Sequence, residues 1–110
     1  MLSNFILAVF LTSCNSVPAT VICEDLQLGR ERDECLHTQI KSFDGKESQK
    51  VLEKAKLIQD PMIRGAAVSA WIGTNNNEVD SNTGQALCAL LDGRDRSYCM
   101  RRLSSPHLKR

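Results

Sequence analysis

Two segments decide the fold of this 110-residue chain: CEDLQLGRERDEC at residues 23–35 and CALLDGRDRSYC at residues 88–99. Both contain the pattern Gly-Arg-acid-Arg-x-x-Cys, so they form a degenerate internal repeat. In each segment a short helical stretch is expected to end at a glycine, Gly29 or Gly93, because glycine readily adopts the left-handed conformation that closes a helix. A new helix then begins at the following arginine. The repeat therefore predicts two tight corners between helical segments.

The four cysteines of these segments are expected to form disulfides. We favour Cys23 with Cys35 and Cys88 with Cys99, because each segment then carries its own pair around its own glycine. Each bond would close a loop of about a dozen residues and contribute about 3 kcal/mol in the chain-entropy view. A crossed pairing, Cys23 with Cys99 and Cys35 with Cys88, stays open, since spacing alone does not decide connectivity. It would resemble the twin-cysteine helical hairpins of the mitochondrial intermembrane space.

A zinc site is the remaining alternative for these cysteines. Structural zinc usually takes cysteines separated by two to four residues. The two pairs here enclose eleven and ten residues, which matches no zinc knuckle.

Hydrophobic periodicity predicts helices throughout the region between the two units. The first runs from Arg30 to Phe43 with Leu36 and Ile40 on its inner face, and Asp44-Gly45 breaks it. Asp44 and Glu47 form a capping box for the second helix, which ends before Asp60. Its predicted inner stripe is Val51, Leu52, Ala55 and Ile58, and its predicted solvent face is Lys46, Lys50, Glu53, Lys54 and Lys56.

Asp60-Pro61 predicts the start of a third helix, with an aspartate cap and a proline at the first helical position. This helix is expected to span Met62 to Ile72, to stop at Gly73, and to be the central packing element because its side chains are small. Residues 74–83 are expected to form a mobile polar loop. A fourth helix from Gln85 to Asp92 buries Leu87, Leu90 and Leu91, and a last helix runs through Tyr98 to Leu103.

These elements predict an all-α domain at residues 23–103: an irregular bundle of five or six short helices with a disulfide-stapled corner near each end. The chain is long enough for a single small domain. Residues 104–110 form a basic tail.

The first residues have the character of an export signal. Phe5 to Leu11 is an uncharged run of seven apolar residues, whereas a transmembrane helix needs about twenty. Leu11-Thr12-Ser13-Cys14 resembles the lipobox of bacterial lipoproteins. This resemblance implies a signal peptide at residues 1–13, lipidation of Cys14, and a linker at residues 14–22. Val17-Pro18-Ala19 also suits ordinary signal peptidase, so cleavage after Ala19 stays open.

No recognisable catalytic constellation accompanies these features. The two histidines, His37 and His107, have no spacing that suggests a metal pair or a nucleophile. Nucleophile-elbow, phosphate-loop and metalloprotease motifs are all absent. We therefore expect a protein that is not an enzyme and that uses no cofactor or metal.

The carboxyl-terminal end is basic, with Asp95 as the single acid after residue 93. The candidates for contact with an anion or a partner are Arg94, Arg96, Arg101 and Arg102. Alternatively, these arginines belong to a solvated face and pair with acids, and the first repeat unit could then face the second. The acids of that unit are Glu24, Asp25, Glu31, Asp33 and Glu34.

Two functional hypotheses follow. The first is a lipid-anchored, non-catalytic accessory or interaction protein of the bacterial cell envelope, facing the periplasm or the exterior, with the membrane and an envelope protein as partners. The second is a freely secreted, disulfide-stapled helical inhibitor, toxin or ligand, cleaved after Ala19. A small periplasmic enzyme ranks last. The chain has 14 Lys and Arg against 13 Asp and Glu, and this balance, together with export, argues against nucleic acid as a partner.

Overall fold

Five α-helices account for most of residues 22–104, the part of the chain that the computed structural model describes. They are α1 (Arg30–Ser42), α2 (Ser48–Leu57), α3 (Pro61–Asn75), α4 (Ser81–Ala89) and α5 (Gly93–Ser104), with 3-10 turns at Cys23–Asp25 and Gly45–Glu47. Within this range there is no strand, so the all-α prediction is confirmed. The leader, Cys14, the alternative cleavage site at Ala19 and the tail from residue 105 lie outside the described residues.

Helix α3 is the centre of the bundle, as its small side chains predicted. It packs against each of the other four helices, and most extensively against α5 and α1. Trp71 of α3 is 4% exposed, and its indole Nε1–H donates to the carbonyl of Phe43 at 2.9 Å. This bond ties α3 to the end of α1. The fully buried aliphatic side chains come from every helix except α5: Leu36, Ile40, Val51, Ile58, Val68, Ile72 and Leu87.

The prediction that α3 stops at Gly73 was wrong. The helix continues to Asn75, and Gly73 has no positive φ. A Cβ at Gly73 would collide with the guanidinium of Arg102, and one at Gly65 would lie 2.7 Å from Oδ2 of Asp95. These glycines therefore leave room on α3 for the ends of the Arg102 and Asp95 side chains of α5. Because Gly65 faces the start of α5 and Gly73 its end, the two helices run in the same direction.

Both disulfides form within their own repeat unit, Cys23 with Cys35 and Cys88 with Cys99. Their Cα–Cα separations are 5.6 and 5.5 Å, which is ordinary for a disulfide. The crossed pairing is therefore wrong. So is a zinc site, because none of these four sulfurs is free to act as a thiolate ligand.

The two glycine corners are less alike than the repeat suggests. Gly93 has φ +49° and precedes α5 in the predicted left-handed conformation. Gly29 has φ +139° and stands at the cap position of α1, so it does not close a preceding helix in the left-handed form. The segment before it contains only the 3-10 turn at Cys23–Asp25.

The predicted start at Asp60 is confirmed, whereas the Asp44 capping box closes the 3-10 turn at Gly45–Glu47 and not α2, which begins at Ser48 without a side-chain cap. The Asp44 carboxylate accepts from the backbone N–H of Lys46 at 2.9 Å, and Glu47 accepts in return from the N–H of Asp44 at 3.1 Å. Asp60 accepts from the N–H groups of Met62 and Ile63 at the start of α3. The predicted inner stripe of α2 is buried, from Val51 to Ile58.

The predicted loop at residues 74–83 is shorter in the structure, because half of these residues are helical. Only residues 76–80 lie between α3 and α4, and α4 begins at Ser81 and ends at Ala89, before the predicted bounds. Asp80 caps this helix by accepting from the backbone N–H of Thr83 at 3.0 Å and from its hydroxyl at 2.9 Å. These two bonds, the backbone one first, lower the pKa of Asp80. Asn76 is 8% exposed and donates to the carbonyl of Arg102 at 2.9 Å, so the turn is tied to the end of α5.

Candidate binding surface on the last helix

Helix α5 carries all four arginines that the sequence singled out, and its inner side fixes their placement. Cys99 is fully buried and bonded to Cys88 of α4. Leu103 packs against Gly84 of α4, where a Cβ would lie 2.7 Å from a Leu103 methyl group. The carboxylate of Asp95 lies over Gly65 of α3. The helix is thus held in its rotation by a disulfide and by close packing on two neighbours.

The outer side of α5 presents a row formed by Arg94, Tyr98 and Arg101. Residues spaced by four and then three positions lie on one helical face, and all three are exposed. The row is about 10 Å long from Arg94 to Arg101 at the helical rise of about 1.5 Å per residue. Within residues 22–104 neither arginine makes a hydrogen bond or an ion pair. Their guanidinium groups are available to an external anion.

Tyr98 contacts the arginines at the carboxyl-terminal end of α5. The guanidinium carbons of Arg101 and Arg102 lie 5.9 and 5.1 Å from the centre of its ring, within the range of a cation–π contact. Arg102 also donates to the Tyr98 hydroxyl at 2.5 Å and lies against Gly73. Arg102 is therefore half-buried and structural, whereas Arg101 is exposed.

Arg96 lies on the other flank of α5. Its Nη2 donates to the carbonyl of Ala89, the last residue of α4, at 2.8 Å. A cation at the carboxyl end of a helix also interacts favourably with the helix dipole. Arg96, Met100, Gln85 and Ala89 together line an open groove between α4 and α5 with a volume of about 320 Å³.

The surroundings of α5 contain few acids. The two helices that flank it, α3 and α4, have a single charged side chain between them, Arg64. Among residues 22–104 no arginine of α5 forms an ion pair. The expectation that these arginines pair with acidic neighbours was therefore wrong for the described part of the chain.

Three of the five acids of the first unit have partners away from α5, and none of the five forms an ion pair with an arginine of α5. Helix α1 packs mainly against α3 and α2, and α5 packs mainly against α3 and α4. Glu24 forms an ion pair with Lys54 at 2.7 Å, and this hydrogen bond is the main cause that lowers the pKa of Glu24. The position of Lys54 on α2 predicted that it faces water, but its ammonium group pairs with Glu24 instead. Glu34 pairs with Arg30 at 3.5 Å.

Asp33 is the largest departure from the predicted acidic patch. Its side chain is buried, with the residue 3% exposed. Its two carboxylate oxygens accept from the backbone N–H groups of Gln59 and Asp60 at 3.1 and 3.0 Å. Asp33 thus joins α1 to the link between α2 and α3. It is a structural residue and not a surface contact.

The described residues offer no grouping of His, Cys, Asp and Glu side chains suited to a metal ion. His37 is half-buried on α1, and His107 lies outside the described residues. Between residues 22 and 104 none of the helices has both the length and the apolar character needed to cross a bilayer.

Reasoning from sequence placed the arginines on one helix but missed how different they are. Arg96 and Arg102 are held by hydrogen bonds to Ala89 and Tyr98, whereas Arg94 and Arg101 make no hydrogen bond or ion pair within residues 22–104. The position of Tyr98, three and four residues before Arg101 and Arg102, was the available signal for the aromatic contact. The groove beside Met100 had no signal in the sequence, because it depends on how α4 and α5 pack.

Comparison with known protein families, with curated protein sequences and with solved structures finds no match to this chain.

Proposed function

We propose that the chain is an exported, lipid-anchored protein of the bacterial cell envelope that acts by binding and not by catalysis. The observation that carries this proposal is the pair of disulfides, one around each helix corner. Disulfides of this kind persist in oxidising compartments and are rare in the cytosol of most organisms. In a domain this small they also supply stability that a limited core does not.

The anchor is proposed from the leader. The lipobox-like residues Leu11 to Cys14 follow an apolar run of signal-peptide length, and the other four cysteines are all used in disulfides. Cys14 is then the one cysteine left for a lipid. A surface for an anionic ligand is proposed on α5, because two exposed arginines that make no hydrogen bond or ion pair among residues 22–104 lie beside an exposed tyrosine. An envelope protein remains the proposed macromolecular partner.

The test of location is expression of the full chain in a bacterial host, followed by intact-mass measurement of the protein from membranes and from the medium. We expect membrane-bound protein whose first residue is an acylated Cys14. The matched control is Cys14→Ser, which removes the acceptor sulfur and should move the protein out of the membrane fraction. Soluble wild-type protein beginning at Thr20 would contradict the anchor and support the secreted inhibitor, toxin or ligand instead.

The test of export is a thiol count on the same material. We expect no reaction with a thiol-alkylating reagent in native protein, and four alkylated cysteines after reduction and unfolding. Free thiols at Cys23, Cys35, Cys88 and Cys99 in protein isolated from cells under non-reducing conditions would contradict residence in an oxidising compartment.

A further inference from the structure

The outer face of α5 has more positive charge than the domain neutralises. Helix α5 carries four arginines and one acid, Asp95, and that acid lies against Gly65 of α3. The flanking helices contribute no acid. Among residues 22–104 neither Arg94 nor Arg101 forms an ion pair, even with the nearby Asp92 and Asp95, so both guanidinium groups can pair with an external anion.

The chemistry of the row favours phosphate. All the cations of α5 are arginines and none is a lysine. A guanidinium presents a rigid fork of donors that matches the oxygens of a phosphate, and it loses less hydration than an ammonium group when it binds. Tyr98 adds an amphipathic side chain, apolar in its ring and polar at its tip, of the kind that suits a boundary between water and lipid.

The geometry favours a surface and not a small ligand. Arg94, Tyr98 and Arg101 form an exposed row along α5. The groove on the opposite flank of α5, beside Met100, is open to solvent. The arginine that lines it, Arg96, already donates a hydrogen bond to the carbonyl of Ala89. A row about 10 Å long can contact several headgroups at once.

The chain length allows this row to reach a membrane. Cys14 precedes Cys23, the first residue of the disulfide-stapled domain, by nine positions. Fully extended, this stretch would span about 30 Å. A lipid at Cys14 thus permits the domain to lie with α5 against the same bilayer.

We propose that the Arg94–Tyr98–Arg101 face of α5 binds the phosphate headgroups of anionic phospholipids and so orients the domain on the membrane. This inference rests on the proposed function, since the lipid anchor holds the face near the bilayer. The docked domain turns α5 toward the headgroups and leaves α1 and α2, which pack away from α5, for an envelope protein partner.

The test uses the full chain with both disulfides intact. Its partition is measured by co-sedimentation with vesicles of pure phosphatidylcholine and of an equimolar mixture with phosphatidylglycerol. The ratio of the two partition coefficients removes the contribution of the apolar leader, which is common to both vesicles. The variant is Arg94→Gln/Arg101→Gln. The matched control is Lys41→Gln/Lys56→Gln, which removes the same charge from exposed positions on α1 and α2.

We expect the wild type to prefer the anionic vesicles, and the preference to weaken as salt is added. Each arginine near an anionic surface contributes about fivefold, so the double arginine variant should lower the ratio about 25-fold. The lysine variant should stay close to the wild type. All these residues are exposed, so both variants should retain the helical circular dichroism of the wild type.

Three results would overturn the proposal: no anionic preference in the wild type, an unchanged ratio in the arginine variant, or equal losses in both variants. Binding of the wild type to immobilised poly-glutamate without any preference for phosphatidylglycerol would replace the membrane with an acidic protein. The outcome is separable from that of the proposed function. If the wild type is released into the medium as chains that begin at Thr20, and the double arginine variant still lowers the ratio of partition coefficients about 25-fold, the anchor alone is refuted. If Cys14 is acylated but the arginine variant leaves this ratio unchanged, only the headgroup contact is refuted.

Discussion

Replacement of Asp33 provides the sharpest test of how the fold is held together. In Asp33→Ala the backbone N–H groups of Gln59 and Asp60 lose the carboxylate that accepts from both. A hydrogen bond to a charged group contributes about 1.5–3 kcal/mol. Gln59 and Asp60 are themselves exposed, and water can partly replace the lost acceptor. We therefore use the low end for each bond and expect a loss of about 3 kcal/mol in the free energy of unfolding.

The measurement is urea denaturation followed by circular dichroism with both disulfides intact. A loss of this size corresponds to a fall in Tm on the order of 15 °C for a domain of this length. Asp33→Asn keeps one acceptor oxygen and should lose about half as much. Glu31→Ala, an exposed neighbour on the same helix, should change the free energy by less than about 0.5 kcal/mol. If Asp33→Ala and Glu31→Ala behave alike, Asp33 is not the link between α1 and α3 that the structure indicates.

Three further predictions concern packing, charge and cross-linking. Gly73→Ala should cost about 1 kcal/mol in urea denaturation, because the added methyl group displaces only the flexible end of the Arg102 side chain; a loss of about 3 kcal/mol would mean that α5 itself is forced away from α3. The pKa of Glu24 lies below its ordinary 4.5 because Lys54 donates to its carboxylate, so the contribution of this pair is fully present above about pH 4.5 and is lost as the pH falls through the lowered pKa. Lys54→Met should weaken that acid dependence in urea titrations at several pH values, and an identical pH profile would argue against the pair. Cys88→Ala/Cys99→Ala opens a loop of 11 residues and should cost about 3 kcal/mol in the same assay, whereas unchanged stability would show that packing alone holds α5.

Local signals predicted much of the secondary structure. Asp44 and Asp60 accept the backbone hydrogen bonds expected of capping residues, because a cap depends on side chains within three residues of the helix start. The inner stripe of α2 followed from periodicity alone. The disulfide pairing was predicted but not decided, since three connectivities fit four cysteines and only the packing of α1, α3 and α5 separates them.

The errors arose where a residue serves a distant neighbour. Gly73 has the chemistry of a helix end but lies inside α3, since the space it leaves is filled by Arg102 from α5. The run of asparagines suggested a loop, yet Asn76 donates to the backbone of Arg102, 26 positions away. Asp80 was a local signal that could have been found, because Asp80 and Thr83 form an ordinary cap at the start of α4.

For the arginines of α5, the sequence predicted their shared helix, but the packing of the helices decided which of them are exposed. That Arg94, Arg96, Arg101 and Arg102 lie on one helix is a property of the sequence, since it needs only a helical rise and the spacing of the residues. Which of them face an external ligand depends on contacts made by α3 and α4. The carboxyl end of α4 holds Arg96, and Gly73 with Tyr98 holds Arg102.

The prediction that the acids of the first unit form one patch facing the arginines was also wrong. Three acids of this segment have different roles in the structure. Glu24 pairs with Lys54, Asp33 is buried beneath the link before α3, and Glu34 pairs with Arg30 on its own helix. Helix type and most of the capping were thus decided within a few residues of chain, where backbone geometry and side-chain hydrogen bonds act over one turn. The tertiary structure decided which charged side chains are buried, paired or exposed, because burial and long-range partners exist only after the helices have packed.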